Sequence, residues 1–255
     1  MRTADELRDA VEAYLGSLTL APELGALEQP LRYSLESGGK RVRPLLCLAV
    51  AEANGTSLED AMPAAAALEL VHTFSLVHDD LPALDDDERR GRPSAHVAFG
   101  EGVALLAGDA LVSEAFRLAL TYESPEVARH LAAATLGMIG GQYRDITGDT
   151  ADLEELHRLK TGRLFVAAVQ IGLEVAAVGA GERPRWVAFG EDVGLLFQVV
   201  DDLLDGDGYV DRLGTEATRV LADEVAERAS SRLDELACDT TVLRDLLDAL
   251  TFRTG

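Results

Sequence analysis

The sequence predicts a single all-α domain, and three observations predict it. Ala, Leu, Glu and Arg dominate almost every segment, apolar residues recur at three- and four-residue spacing, and the β-branched alternation of strands is nearly absent. At 255 residues the chain lies near the upper end for one hydrophobic core. It contains no repeat, low-complexity tract or linker at which a second domain would begin, so residues 1–255 form one domain on this reading.

Taken in order, Asp5–Leu18 places Leu7, Val11, Tyr14, Leu15 and Leu18 on one helix face. Pro22–Ser37 and Arg41–Asn54 follow, separated by a Ser37-Gly38-Gly39 stop. Ser57–Leu81 opens on a serine cap and runs largely apolar through Ala64–Val77. Asp85–Ala95 is polar, holds Gly91 and Pro93, and is expected to be loop. His96–Leu120 is apolar on more than one face, through Val103, Leu105, Leu106, Leu111 and Phe116, which predicts a place in a core or a subunit interface. Helices resume at Pro125–Ile146, Asp152–Val178, Arg183–Leu204, Arg212–Leu236 and Thr240–Phe252.

The composition excludes several classes of function. With 23 Lys+Arg against 45 Asp+Glu, the formal net charge is −22, and such a surface repels nucleic acid and anionic membranes. An anionic substrate has to be met locally, by placed cations or metal ions. No window reaches 18 apolar residues free of charge, so no membrane span is expected. Met1–Ala10 lacks the pattern of a signal peptide, and Cys47 and Cys238 lie far apart. The expectation is two small core residues in a reducing cytoplasm.

The strongest chemical signal is His78-Asp79-Asp80-Leu81-Pro82-Ala83-Leu84-Asp85-Asp86-Asp87-Glu88, which follows directly on an apolar helix. Clustered carboxylates repel one another unless a cation compensates them, and acids at a helix C-terminus oppose its dipole. A second cluster, Phe197-Gln198-Val199-Val200-Asp201-Asp202-Leu203-Leu204-Asp205, puts Asp201 and Asp205 on one face of another helix. Two such ends facing each other form an oxygen-lined basin suited to Mg²⁺ and a phosphate ligand. Zinc is disfavoured, because the His and Cys residues are scattered. Three basic patches answer the acids: Lys40, Arg41 and Arg43 within Gly38–Pro44; Arg89-Arg90-Gly91-Arg92; and Lys160 of Lys160-Thr161-Gly162.

In this order, Gly39-Lys40-Arg41-Val42-Arg43-Pro44, the DDxxxxD run Asp79–Asp85 with Arg89-Arg90-Gly91, Gly141-Gln142, Lys160-Thr161-Gly162, and Phe197-Gln198 with the DDxxD run Asp201–Asp205 resemble the motifs of the trans-isoprenyl diphosphate (polyprenyl) synthases. The likeness is nearest to the bacterial short-chain farnesyl and geranylgeranyl types and runs to about Asp205. It implies a bundle of about ten helices around a deep central cavity, in which isopentenyl diphosphate is joined to an allylic diphosphate. Asp79 and Asp85 would bind two of three Mg²⁺ ions and Asp201 the third, with Asp80, Asp202 and Asp205 in support. Arg89, Lys160, Thr161 and Gln198 would hold the allylic diphosphate, the last three also facing the developing cation. Gly39, Lys40, Arg43, His72 and Arg90 would hold isopentenyl diphosphate. Phe74 and Ser75, about one helical turn before Asp79, would floor the growing tail. With the Leu81-Pro82 insertion they favour a C15 product, C10 and C20 staying open.

Two further features bear on this expectation. The apolar Val103–Leu120 helix predicts a homodimer. After Asp205 the family carries a loop with one or two lysines, whereas here Lys160 is the last lysine and Arg212 the nearest cation. A non-catalytic partner subunit of another prenyl synthase stays open as a second reading. A class I terpene cyclase is a third, against which the second DDxxD and the Gly-Lys-Arg segment argue.

Overall fold

The computed structural model describes residues 2–36, 38–148 and 152–251. Among them are thirteen α-helices, one 3₁₀ turn, one π-helical turn and one short hairpin. The chain runs through α1 (Ala4–Ser17), the 3₁₀ turn (Pro22–Leu27), α2 (Glu28–Leu35), α3 (Val42–Ala53) and α4 (Leu58–Asp79). The hairpin strands β1 (Arg89–Arg90) and β2 (Arg92–Pro93) follow, then α5 (Ala95–Phe99), α6 (Glu101–Ala119) and α7 (Glu126–Thr147). After α8 (Leu153–His157) and the π-helical turn (Arg158–Gly162) come α9 (Arg163–Val175), α10 (Arg183–Asp205), α11 (Tyr209–Leu213), α12 (Thr215–Asp234) and α13 (Thr241–Thr251). Ser37 of the predicted stop, Phe252 at the end of the last predicted helix, and Met1 lie outside the described residues.

The all-α class is as the periodicity predicts, and the α-helix count rises from ten to thirteen because three predicted helices are split in two, while a fourth changes type at its start. Gly100 and Gly214, at φ 87° and 83°, interrupt the predicted His96–Leu120 and Arg212–Leu236 helices in a conformation that costs other residues strain. Pro22–Ser37 starts as a 3₁₀ turn, and Asp152–Val178 holds the π-helical turn. The predicted Asp85–Ala95 loop contains the hairpin, paired Arg89 to Pro93 and Arg90 to Arg92 around Gly91.

α4 is the axis of the core. Ala64 through Leu68, Leu70 and Val71 are fully buried, as befits a helix apolar on every side. Ser57 caps its start by accepting from the Asp60 amide. α3, α6 and α9 pack around α4, and the buried apolar side chains join in one cluster. α6 divides its apolar residues: Leu111 is fully buried, while Val103, Leu105 and Leu106 are 37%, 47% and 54% exposed. No described helix is long and apolar enough to cross a membrane. Cys47 is buried and its thiol pushed up to about 12 by that burial, and both cysteines are free.

One of the expected surface cations turns inward. Arg41 takes a left-handed backbone, φ 49°, at the entrance to α3, and its guanidinium is buried. It donates to Glu12 Oε1 at 2.7 Å, Glu69 Oε1 at 2.6 Å and the Leu35 carbonyl at 2.5 Å, tying α1, α2 and α4 to α3. Arg41 is consequently a structural cation rather than a ligand for phosphate, and it fixes the turn between Lys40 and Arg43.

Candidate active site

A cavity of about 360 Å³ opens where α4 ends. α4 contributes His72, Phe74, Ser75, His78 and Asp79; α7 contributes Met138, Ile139, Gln142, Tyr143 and Ile146. Arg43 enters from α3, and Lys160 and Thr161 from the π-helical turn. Polar and charged groups thus share one space with an apolar wall.

At the first acidic end, the backbone doubles back immediately after α4. Leu84 N–H donates to Leu81 O at 2.8 Å and Asp85 N–H to Asp79 O at 2.9 Å. This closed turn returns Asp85 to Asp79 despite the two inserted residues, and Gln142 Nε2 reaches Asp85 Oδ1 at 3.4 Å. Asp80, expected in support of the metal site, lies behind Asp79 rather than on the cavity wall. It is 4% exposed and borders a separate pocket of about 40 Å³ with Arg92, Ser34 and Ser94.

The second acidic end divides in the same way. Burial, then the neighbouring Asp205, pushes the Asp201 carboxyl up to about 6, against the pull of Arg43. Asp205 is exposed. Asp202 is 3% exposed and committed: it accepts from Gln198 Nε2 at 2.7 Å and from the Tyr209 amide at 2.8 Å. Gly208 approaches it so closely that a Cβ there would overlap the carboxylate. Asp202 consequently pins the short, lysine-free α10–α11 link that the sequence shows after Asp205. Arg212 is exposed on α11.

Arg43 is buried at the cavity wall, with its guanidinium 4.6 Å from the Phe165 ring centroid and 5.4 Å from that of Phe197. Burial lowers its pKa to about 10, opposed by Glu69 and Asp201, so it stays charged at neutral pH. Its Nε has no hydrogen-bond partner. Gly39, at φ 144°, turns the backbone beside Lys40, which is exposed. Arg89 and Arg90 are placed in β1, and their side chains lie outside the described part of the structure.

Lys160 Nζ pairs with Asp145 Oδ2 at 2.5 Å. The sequence reading missed Asp145, although it sits three residues after Gln142 and so shares its helix face. Gly141 is needed because a Cβ there would overlap the Lys160 backbone, which lets the π-helical turn rest directly on α7. Thr161 Oγ1 donates to Gln198 Oε1 at 2.8 Å, and Gln198 passes the chain on to Asp202. With its proton directed at Gln198, Thr161 keeps oxygen lone pairs for the cavity it lines. Gln198, expected to face the substrate, borders a different cavity of about 290 Å³ behind Thr161.

Among the described residues no three Asp, Glu, His or Cys side chains converge enough to hold a metal ion unaided. The donors nevertheless fit Mg²⁺, which takes one or two carboxylates and completes its shell with water and phosphate. The paired Asp79 and Asp85 offer hard oxygens, and Asp201 is an acid whose burial beside Asp205 a cation would relieve.

Comparisons with known proteins agree. The polyprenyl synthetase family model matches residues 25–224. The farnesyl diphosphate synthase of Bacillus subtilis (strain 168) is 40% identical over 205 residues, covering 74% of this chain and 69% of its own. The geranylgeranyl diphosphate synthase of Cyanophora paradoxa is 39% identical over 213 residues, covering 77% and 71%. The crystal structure of a geranyltransferase from Legionella pneumophila superposes with a TM-score of 0.85 at 31% identity, covering 98% of this chain and 96% of that one. The chain belongs to the polyprenyl synthetase family and is a prenyl transferase.

Proposed function

We propose that the protein is a cytoplasmic short-chain trans-prenyltransferase that condenses isopentenyl diphosphate with dimethylallyl or geranyl diphosphate and releases mainly farnesyl diphosphate. The observation that carries this reading is the meeting of Asp79, Arg43, Lys160 and Thr161 in one cavity with an apolar wall. Asp79, Asp85 and Asp201, with Asp205 beside them, would hold Mg²⁺, three ions in all. When bound, Mg²⁺ supplies Lewis-acid stabilisation of the charge on the departing pyrophosphate.

Lys160, steadied by Asp145, binds the allylic diphosphate. Arg43, Lys40 and His72 hold isopentenyl diphosphate so that its double bond faces the allylic carbon. The allylic C–O bond breaks, the double bond supplies the electron pair for the new C–C bond, and a proton leaves to the released pyrophosphate. Thr161 turns an oxygen dipole toward the transient carbocation without the carboxylate charge that would trap it. Phe74, 9% exposed on the cavity wall a turn before Asp79, stops the tail and supports the C15 product.

The test is a Mg²⁺-dependent assay with isopentenyl diphosphate and each of the C5, C10 and C15 allylic partners. Longer prenyl diphosphates are expected, and Phe74→Ala is expected to lengthen them by a C5 unit. Hydrocarbon or alcohol made without isopentenyl diphosphate would identify a cyclase. The link 206–214, which carries no lysine, favours the second reading of a subunit that turns over only with a partner. The exposed Val103, Leu105 and Leu106 support a homodimer, checked by sedimentation at micromolar concentration.

A further inference from the structure

His78 lies one residue before Asp79 and lines the same cavity. Its ring meets Phe74 edge-on, with centroids 4.9 Å apart at 72°. On the opposite side it fills a notch in α6 at Gly108, where any Cβ would overlap the ring at Nε2 and Cδ2. Nε2 lies 2.9 Å from the Leu105 carbonyl oxygen, which accepts only, so the proton sits on Nε2. Asp109 Oδ1, 4.0 Å from Nε2, is a further neighbour on α6.

We propose that His78, seated in the Gly108 notch, is a specificity-determining residue for product length. It deepens, and rests on, the prenyltransferase reading above. Carbon atoms pack at about 3.5–4.0 Å, so a methyl group at position 108 has to drive the ring away from α6 by about 1 Å or more. α6 cannot yield instead, because Ala104, Ala107, Leu111 and Ala115 are fully buried along it. Phe74 already meets the ring, so the open direction left is into the cavity that both side chains line. The absent side chain at Gly108 thus keeps the imidazole out of the path of the tail, and the residue size at position 108 sets the room beside Phe74.

The experiment measures the product distribution of the full-length protein from isopentenyl diphosphate and dimethylallyl diphosphate. Wild-type protein that makes no prenyl diphosphate would overturn the functional reading itself. Given wild-type product, Gly108→Ala is expected to shift the distribution toward shorter chains by about threefold or more, and His78→Ala toward longer ones. The double variant should match His78→Ala, because the added methyl acts only through the ring. An unchanged distribution in Gly108→Ala, or shortening that persists in the double variant, would overturn the inference. If Gly108→Ala fails to fold by circular dichroism, His78→Ala decides alone, and unchanged or shorter products from it would defeat the proposal.

Discussion

The two acidic helix ends carry the same Asp-Asp doublet and use it in the same divided way. On a helix, consecutive side chains point about 100° apart, so a doublet cannot present both carboxylates to one ligand. At the end of α4, Asp79 borders the cavity and Asp80 is buried in the pocket behind. At the end of α10, Asp201 lies within the field of Arg43, and Asp202 is buried behind it in hydrogen bonds. The two ends differ in how the third acid is reached. The first returns Asp85 through a backbone-bonded turn, and the second reaches Asp205 by one further helical turn. This division predicts that in each doublet the front acid serves the chemistry and the rear acid the architecture.

The largest effect that tests this division is on turnover. Asp79→Ala and Asp201→Ala are each expected to lower kcat by about 10²–10³, as for loss of a group that stabilises transition-state charge. Their melting temperatures should stay within about 2 °C of wild type, because neither removes a core contact. Steady-state assay and thermal melting of the same preparations check both statements, and a near-normal rate would remove the front acids from the metal site. The rear acid should behave in the opposite manner. Asp202→Ala leaves Gln198 and the Tyr209 amide without their acceptor, which costs about 2–3 kcal/mol of stability. Urea unfolding that shows no loss would mean that Asp202 is not the architectural member of its pair.

How much of this was legible in the sequence follows from what each feature depends on. The helices were legible because burial imprints a 3.6-residue period, and the acids and their partners were legible as clusters. The split of each doublet was implicit in that same period, whereas the burial of Asp80 and Asp202 behind their neighbours depends on packing that no single segment reports. Arg41 looked like a third phosphate ligand, since its left-handed backbone and its three acceptors on distant segments leave no local signature. The π-helical turn depends on α7 approaching at Gly141, a tertiary contact that periodicity within one segment cannot report. Asp145 had a signal, its three-residue spacing from Gln142, and no cluster to draw notice to it.

A smaller effect sharpens the contrast at the α10–α11 link. Gly208 has φ 53° and no room for a Cβ against Asp202, so Gly208→Ala combines backbone strain with displacement of the carboxylate. The expected loss is about 1–2 kcal/mol by chemical denaturation, less than for Asp202→Ala because both acceptor oxygens survive. A Gly208→Ala protein as stable as wild type would show that the link is not held by that approach.

The smallest effect comes from the far end of the chain of hydrogen bonds. Thr161→Val keeps the side-chain shape and removes the hydroxyl, leaving Gln198 Oε1 without its donor and the cavity without that oxygen. Stability should fall by about 1 kcal/mol, the net worth of one such bond. kcat should fall about tenfold, because the oxygen acts on charge that exists only during the reaction. Thr161→Ser, which restores the oxygen, should recover most of the rate. The dependence of rate on Mg²⁺ concentration should be unaltered in Thr161→Val, since the relay runs to Asp202 and not to Asp201. A shift in that dependence would join the front and rear acids into one unit and end the division between them.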